Sequence, residues 1–225
     1  MPQILPRALF AVSVYGLLLF VPAWTLEWWR AWVLLALAFI GLVTTRRWVF
    51  GHDDRLLAER SRSPLQSGQP LADKLLVVGF VVIFPAYIAF IPLDVFRLHL
   101  LSKPQLAVSS LGLLLAIAGW WIMSLAFREN AFAAAIVKPQ EERGQTVVDT
   151  GVYGIVRHPL YSGVILLLIG IALWLESLAA AIASIVPIAL IVLRILVEED
   201  FLRRRLSAYN AYAQRVERRL IPLVW

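Results

Sequence analysis

The sequence contains no cysteine and few ionisable side chains for its length. Its 225 residues include no Cys, three His and only 16% charged residues. Without cysteine, the chain can form no disulfide, no thiolate nucleophile and no cysteine-based metal site. The three histidines, His52, His99 and His158, are far apart in the sequence. We therefore expect no metal centre.

Apolar residues, in contrast, make up 60% of the chain. Runs of about twenty apolar residues recur, which is the length that crosses the hydrocarbon core of a bilayer. We predict an integral membrane protein. The first run begins near Met1 and has no small-residue cleavage site after it, so we interpret it as a retained helix rather than a signal peptide. The net charge of +6 then reflects cytoplasmic Lys and Arg rather than nucleic-acid binding.

The predicted fold class is all-α, with about six transmembrane helices. Their expected ranges are 4–26, 28–45, 75–93, 106–127, 161–175 and 178–197. Only Glu176 and Ser177 separate the last two, which predicts a tight helical hairpin. We divide the chain into a four-helix part and a C-terminal part. The first is 1–127 with a polar loop at 46–74, and the second comprises a loop at 128–160, the hairpin at 161–197 and a tail at 198–225.

The distribution of positive charge predicts the orientation. With six spans, eighteen of the 21 Lys and Arg residues fall on one face, and only Arg30, Arg97 and Lys103 fall on the other. By the positive-inside rule, both termini and the segment 151–163 are expected to be cytoplasmic. The absence of extended tails favours a bacterial cytoplasmic membrane.

The polar segment 151–163 is the most informative stretch of the sequence. Pro159 suits the first turn of a helix and disfavours a helical conformation at His158. The free N–H groups and positive dipole of that helix start can bind a carboxylate or phosphate. Tyr153 and Tyr161 offer aromatic faces to a cation.

Two charged residues of the hairpin's second arm complement this segment. Arg194 and Glu198 are four residues apart and therefore share one helix face. They can pair with each other or with a ligand. Cationic, anionic and aromatic groups together suit a zwitterion with an onium centre, and S-adenosylmethionine has that chemistry.

Several motifs resemble a known family. They are GQTVV at 144–148, TGVY at 150–153, RHPLYSG at 157–163, EExxL at 198–202 and YxxYxxRV at 209–216. This order resembles the isoprenylcysteine carboxyl methyltransferases and, more broadly, the membrane methyltransferases that include the phospholipid N-methyltransferases. The resemblance covers about 127–225.

The resemblance implies an S-adenosylmethionine-dependent methyltransferase that transfers the methyl group in line, without a metal. It implies that Arg194 positions the methyl acceptor. The acceptor would be a small or lipid-like molecule, such as a carboxylate, that enters from the bilayer. The implied cofactor-binding residues are Lys138, Gln145, Thr146, Val147, Val148, Tyr153, His158, Pro159, Leu160, Tyr161 and Glu198.

Two other functions remain open from the sequence. A membrane reductase with a nicotinamide cofactor has a similar C-terminal architecture, and a carrier or scaffold needs no cofactor. The acceptor is also open among a carboxylate, a thiol, a phospholipid amine and a small hydrophobic metabolite. The sequence assigns neither an oligomeric state nor a definite role to Arg157 and Glu199, which are either ligand contacts or structural groups.

Overall fold

The described part of the protein is all-helical, as predicted. The structure, a computed structural model, describes residues 4–50, 69, 71–132, 146–222 and 225, and these residues form no β-strand. In chain order the α-helices are α1 (Ile4–Ala23), α2 (Trp29–Thr45), α3 (Leu71–Leu93), α4 (Leu106–Glu129), α5 (Pro159–Trp174), α6 (Leu178–Ala183), α7 (Ile185–Arg205) and α8 (Tyr209–Arg215).

Five helical segments are long and apolar enough to cross a membrane. They are Ile4–Ala23, Trp29–Val49, Leu71–Leu98, Leu106–Glu129 and Leu178–Arg205, the last comprising α6 and α7. Helix α5 is apolar but has only 16 residues. At 1.5 Å per residue it is about 24 Å long, against about 30 Å for the hydrocarbon core. The fifth of the six predicted spans is therefore shorter than the others.

The helix boundaries differ from the predicted ones at three places. Helix α1 ends at Ala23 rather than near residue 26, because Trp24 adopts a left-handed conformation with φ 58°. Helix α2 continues into a π-helical turn at Arg46–Phe50, and α3 begins at Leu71. Both ends of the predicted loop at 46–74 are therefore helical.

The tight hairpin between α5 and α6 is confirmed. The chain reverses at Glu176, where φ is 69°, and the Ser177 hydroxyl accepts a hydrogen bond from the N–H of Ala180, which caps α6. The same hydroxyl donates to Asp94, just beyond α3, at 2.6 Å. Buried Arg30 of α2 pairs with Glu176 at 3.1 Å. We call the end of the bundle that contains this turn the tip end.

Helices α4 and α5 pack with almost no side-chain volume between them. A Cβ added to Gly119 would lie 2.5 Å from the carbonyl oxygen of Gly163, and one added to Gly163 would lie 2.6 Å from that of Gly119. About two helical turns away, Gly112 of α4 and Gly170 of α5 approach each other in the same way. Small residues allow such close helix packing in membranes. This contact fixes the start of α5 against the end of α4.

Candidate active site

The start of α5 lies at the opposite end of the bundle, which we call the motif end. Pro159 is the first residue of the helix, as predicted, and His158 lies outside the helical region with φ −125° and ψ 58°. Both residues are buried. The backbone of this turn is already satisfied by the C-terminal segment, because the N–H groups of Arg157 and His158 donate to the carbonyls of Arg218 and Arg219, each at 2.9 Å.

Tyr161 joins the two arms of the hairpin. Its hydroxyl donates to Oε2 of Glu198 at 2.8 Å and accepts from Nε of Arg194 at 2.7 Å. The sequence-predicted residues Tyr161, Arg194 and Glu198 thus meet at one point. The phenol oxygen, rather than a direct salt bridge, links the guanidinium to the carboxylate of Glu198.

The counter-ion of Arg194 comes from the N-terminal half of the chain. Oδ1 of Asp73, in the first turn of α3, lies 2.9 Å from Nη1 of Arg194. The side chains of Arg194 and Asp73 are 3% and 0% exposed, so this ion pair is fully desolvated. Gln69 donates to the other oxygen of Asp73 at 2.5 Å. A face of the guanidinium lies over the ring of Phe80, with Cζ 5.6 Å from its centroid.

Glu199, the next residue after Glu198, is the centre of a second buried network. Its Oε1 accepts from Nε of Arg157 at 2.7 Å and lies 3.2 Å from Nε2 of His158. Its Oε2 accepts from Nε of Arg219 at 3.1 Å. Arg157 also donates to the backbone carbonyls of Val216 and Glu217. Arg157 and Glu199 therefore hold the C-terminal segment against the start of α5.

The third part of the motif end is a tyrosine cluster on α8. Tyr209, Tyr212 and Val216 are buried together, with Val147 packed against them. Tyr212 donates its hydroxyl to the carbonyl of Tyr153 at 2.9 Å. Burial raises the pKa of both Tyr209 and Tyr212 above the ordinary value of a phenol. Both side chains are therefore neutral at physiological pH.

A comparison with protein families matches residues 108–209 to the family model described as phospholipid methyltransferase. The matched segment contains the α5–α7 hairpin. It lacks Gln69, Asp73 and Phe80, and it ends at Tyr209, before Tyr212 and the C-terminal segment. The match covers 102 of the 225 residues, and it shows that this segment is similar to the phospholipid methyltransferase family. A comparison with curated proteins finds no match.

The structure distributes the predicted cofactor residues over the three parts of the motif end. Tyr161 and Glu198 contact each other, His158 faces Glu199, and Tyr153 lies beside the tyrosine cluster. Val148 and Leu160 are half-buried, and Thr146 is exposed. Lys138 and Gln145 lie outside the described residues. Pro159 starts the helix and its side chain is fully buried.

Sequence reasoning missed the contribution of α3 to the site. Asp73 and Gln69 precede a long apolar run and read as ordinary polar residues at a membrane boundary. Their spacing of four residues is a signal for a shared helix face, but nothing in the sequence connects them to Arg194, which lies 121 positions away from Asp73. Arg157 and Glu199, whose roles the sequence left open, make structural contacts with each other and with the C-terminal segment.

Proposed function

We propose that this protein is a membrane methyltransferase that uses S-adenosylmethionine as methyl donor and methylates a small or lipid-like acceptor at the motif end. The observation that carries the proposal is the meeting of Tyr161, Arg194 and Glu198 within the matched segment. It places a cation and an anion each within hydrogen-bond distance of one phenol. A zwitterionic donor with a sulfonium centre needs this combination of groups.

The residues present fit such a donor. Within the described residues, the second carboxylate oxygen of Glu198 makes no hydrogen bond, and so it is available to an ammonium or hydroxyl group. The ring of Tyr161 lies 5.8 Å from that of His158, between centroids, and offers an aromatic face to a positive centre. When bound, the donor supplies an electrophilic methyl group that an acceptor nucleophile displaces from sulfur.

The protein contributes positioning and charge matching to this reaction. Arg194 is held by Tyr161 and Asp73, and we propose that it orients the acceptor. Glu198 binds the positive part of the donor. An apolar acceptor reaches the site from the bilayer, because α4 and α7 present exposed apolar side chains to their surroundings.

Binding measurements separate this proposal from the nicotinamide-dependent alternative. We expect calorimetric titration of the purified protein in detergent to show saturable binding of S-adenosylhomocysteine. The same titration with NADPH should show no binding. The reverse result would exclude the methyltransferase reading of the site. Binding of neither ligand would favour a carrier or scaffold.

Two variants test the site itself. Glu198→Gln should weaken S-adenosylhomocysteine binding about tenfold or more, because a hydrogen bond to a charged group contributes about 1.5–3 kcal/mol. Glu217→Gln is the matched control, since its side chain is 71% exposed and lies at the same end of the protein. Equal affinities of the two variants would contradict the role of Glu198.

The acceptor is identified by offering one compound of each chemical class. Tritiated S-adenosylmethionine is incubated with phosphatidylethanolamine vesicles as the amine, N-acetyl-S-farnesylcysteine as the carboxylate and dodecanethiol as the thiol. A lipid extract of the expression host covers other hydrophobic metabolites. Transfer of label to one of these acceptors is expected, and its chemical class names the nucleophile.

A further inference from the structure

Asp73 is a fully buried carboxylate in the N-terminal half of the chain. It lies in the first turn of α3, outside residues 108–209, and its side chain is 0% exposed. An isolated buried charge costs several kcal/mol, so buried carboxylates occur in proteins when a specific partner compensates them. The partner here is Arg194, at 2.9 Å.

The contacts of Arg194 determine the orientation of its guanidinium. Nη1 faces Asp73, Nε donates to Tyr161, and one face lies over Phe80. A guanidinium is planar and rigid, so two fixed nitrogens and one covered face define its plane. Two of these three contacts, Asp73 and Phe80, belong to α3.

A helix contact alone does not explain the arrangement. An acidic residue in the first turn of a helix interacts favourably with the helix dipole, and an exposed Asp would do so equally well. Asp73 instead is completely buried, and a second side chain, Gln69, donates to its remaining oxygen. Both oxygens are thus held, which fixes the carboxylate relative to Arg194.

We propose that Asp73 is a positioning residue for methyl transfer, which acts by holding Arg194 in the orientation that the acceptor requires. This inference rests on the proposed function and extends it to a helix outside the matched segment. Asp73 contacts neither substrate. It is therefore expected to affect the turnover of the enzyme and to leave donor binding almost unchanged.

A double-mutant cycle tests this role. The variants are Asp73→Asn, Arg194→Gln and the double variant, each assayed for S-adenosylhomocysteine binding and for transfer of tritiated methyl to the three acceptor compounds named above. Asp73→Asn should lower kcat at least about tenfold, since a misplacement of about 1 Å can cost about 100-fold. Its dissociation constant for S-adenosylhomocysteine should stay within about twofold of the wild-type value.

The cycle distinguishes positioning from a general effect on the fold. If Asp73 acts through Arg194, adding Asp73→Asn to Arg194→Gln lowers kcat no further. Multiplicative losses, or a wild-type kcat in Asp73→Asn, would overturn the inference. Asp94→Asn is the matched control, because Asp94 is also buried and lies at the tip end of the same helical segment. It should keep the wild-type kcat.

Two further outcomes remain decisive. Asp73→Asn leaves Arg194 without its counter-ion, so this variant can fail to fold. In that case Asp73→Glu is used, because it keeps the charge and moves it by one methylene. A kcat lowered about threefold or more in this variant supports the positioning role, and a wild-type kcat overturns that role. If the wild-type protein neither binds S-adenosylhomocysteine nor transfers label, the proposed function itself fails, and the inference falls with it.

Discussion

Three consecutive acidic residues on α7 should respond differently to the loss of their charge. Glu199 is buried between Arg157, His158 and Arg219, whereas Glu198 contacts Tyr161 and Asp200 faces outwards. Replacing each by its amide keeps the volume and removes one negative charge. The three variants therefore compare three environments on one turn of one helix.

The largest loss of stability is expected for Glu199→Gln. Its side chain and that of Arg157 are each 4% exposed, and their ion pair measures 2.7 Å. Removing one partner of a buried ion pair costs about 3–5 kcal/mol, because the other charge stays buried. Arg157 keeps its carbonyl acceptors at Val216 and Glu217, so we expect the lower limit, about 3 kcal/mol. For a chain of this size, this corresponds to a Tm lower by about 6–12 °C.

The neighbouring variants provide the contrast. Glu198→Gln keeps an acceptor for the hydroxyl of Tyr161, so it should cost less than about 1 kcal/mol and weaken donor binding instead. Asp200→Asn removes an ion pair whose side chains are 61% and 75% exposed, and it should change neither property. Thermal unfolding in detergent and calorimetry with S-adenosylhomocysteine measure the two properties. A Glu199→Gln variant as stable as Glu198→Gln would refute the assignment of Glu199 as a structural centre.

Three further predictions concern other parts of the fold. Gly163→Leu should destabilise the protein by about 1–3 kcal/mol or more, because the leucine side chain would overlap the backbone of α4. Thermal unfolding measures this loss, and Gly154→Leu is the control because Gly154 is exposed. Tyr161→Phe should lower methyl transfer, with the Tm changed by only a few degrees, since it breaks the link between Arg194 and Glu198. Burial raises the pKa of Tyr212, so the folded protein keeps this phenol protonated when the unfolded chain begins to lose the proton, at about pH 10. The free energy of unfolding therefore falls as the pH rises above about 10. Tyr212→Phe should make this fall smaller in unfolding measured at alkaline pH.

The sequence predicted the local features of the site well. Pro159 at the start of a helix follows from backbone preferences that act within a few residues. The tight turn at Glu176 follows from the link of only two residues between two apolar runs. The shared face of Arg194 and Glu198 follows from the helical repeat. Apolar runs predicted the spans because a bilayer requires a fixed length, although α5 is shorter than that length.

The contacts between distant segments were not predicted. Asp73 meets Arg194, and Gly119 meets Gly163, only because α3, α4, α5 and α7 pack side by side. A single sequence contains the residues of such pairs without indicating which residue meets which. The same limit applies to Glu199, whose structural role depends on the path of the C-terminal segment.

By itself, the sequence determined that the chain is an all-helical membrane protein with a polar motif at the start of one helix, and its motifs indicated the family. These properties depend on local spacing and on the apolar length that a bilayer demands. The tertiary structure alone decided which charges compensate one another: Asp73 with Arg194, and Arg157 with Glu199. The physical reason is that a buried charge is stable only beside its partner, and helix packing determines which partners meet.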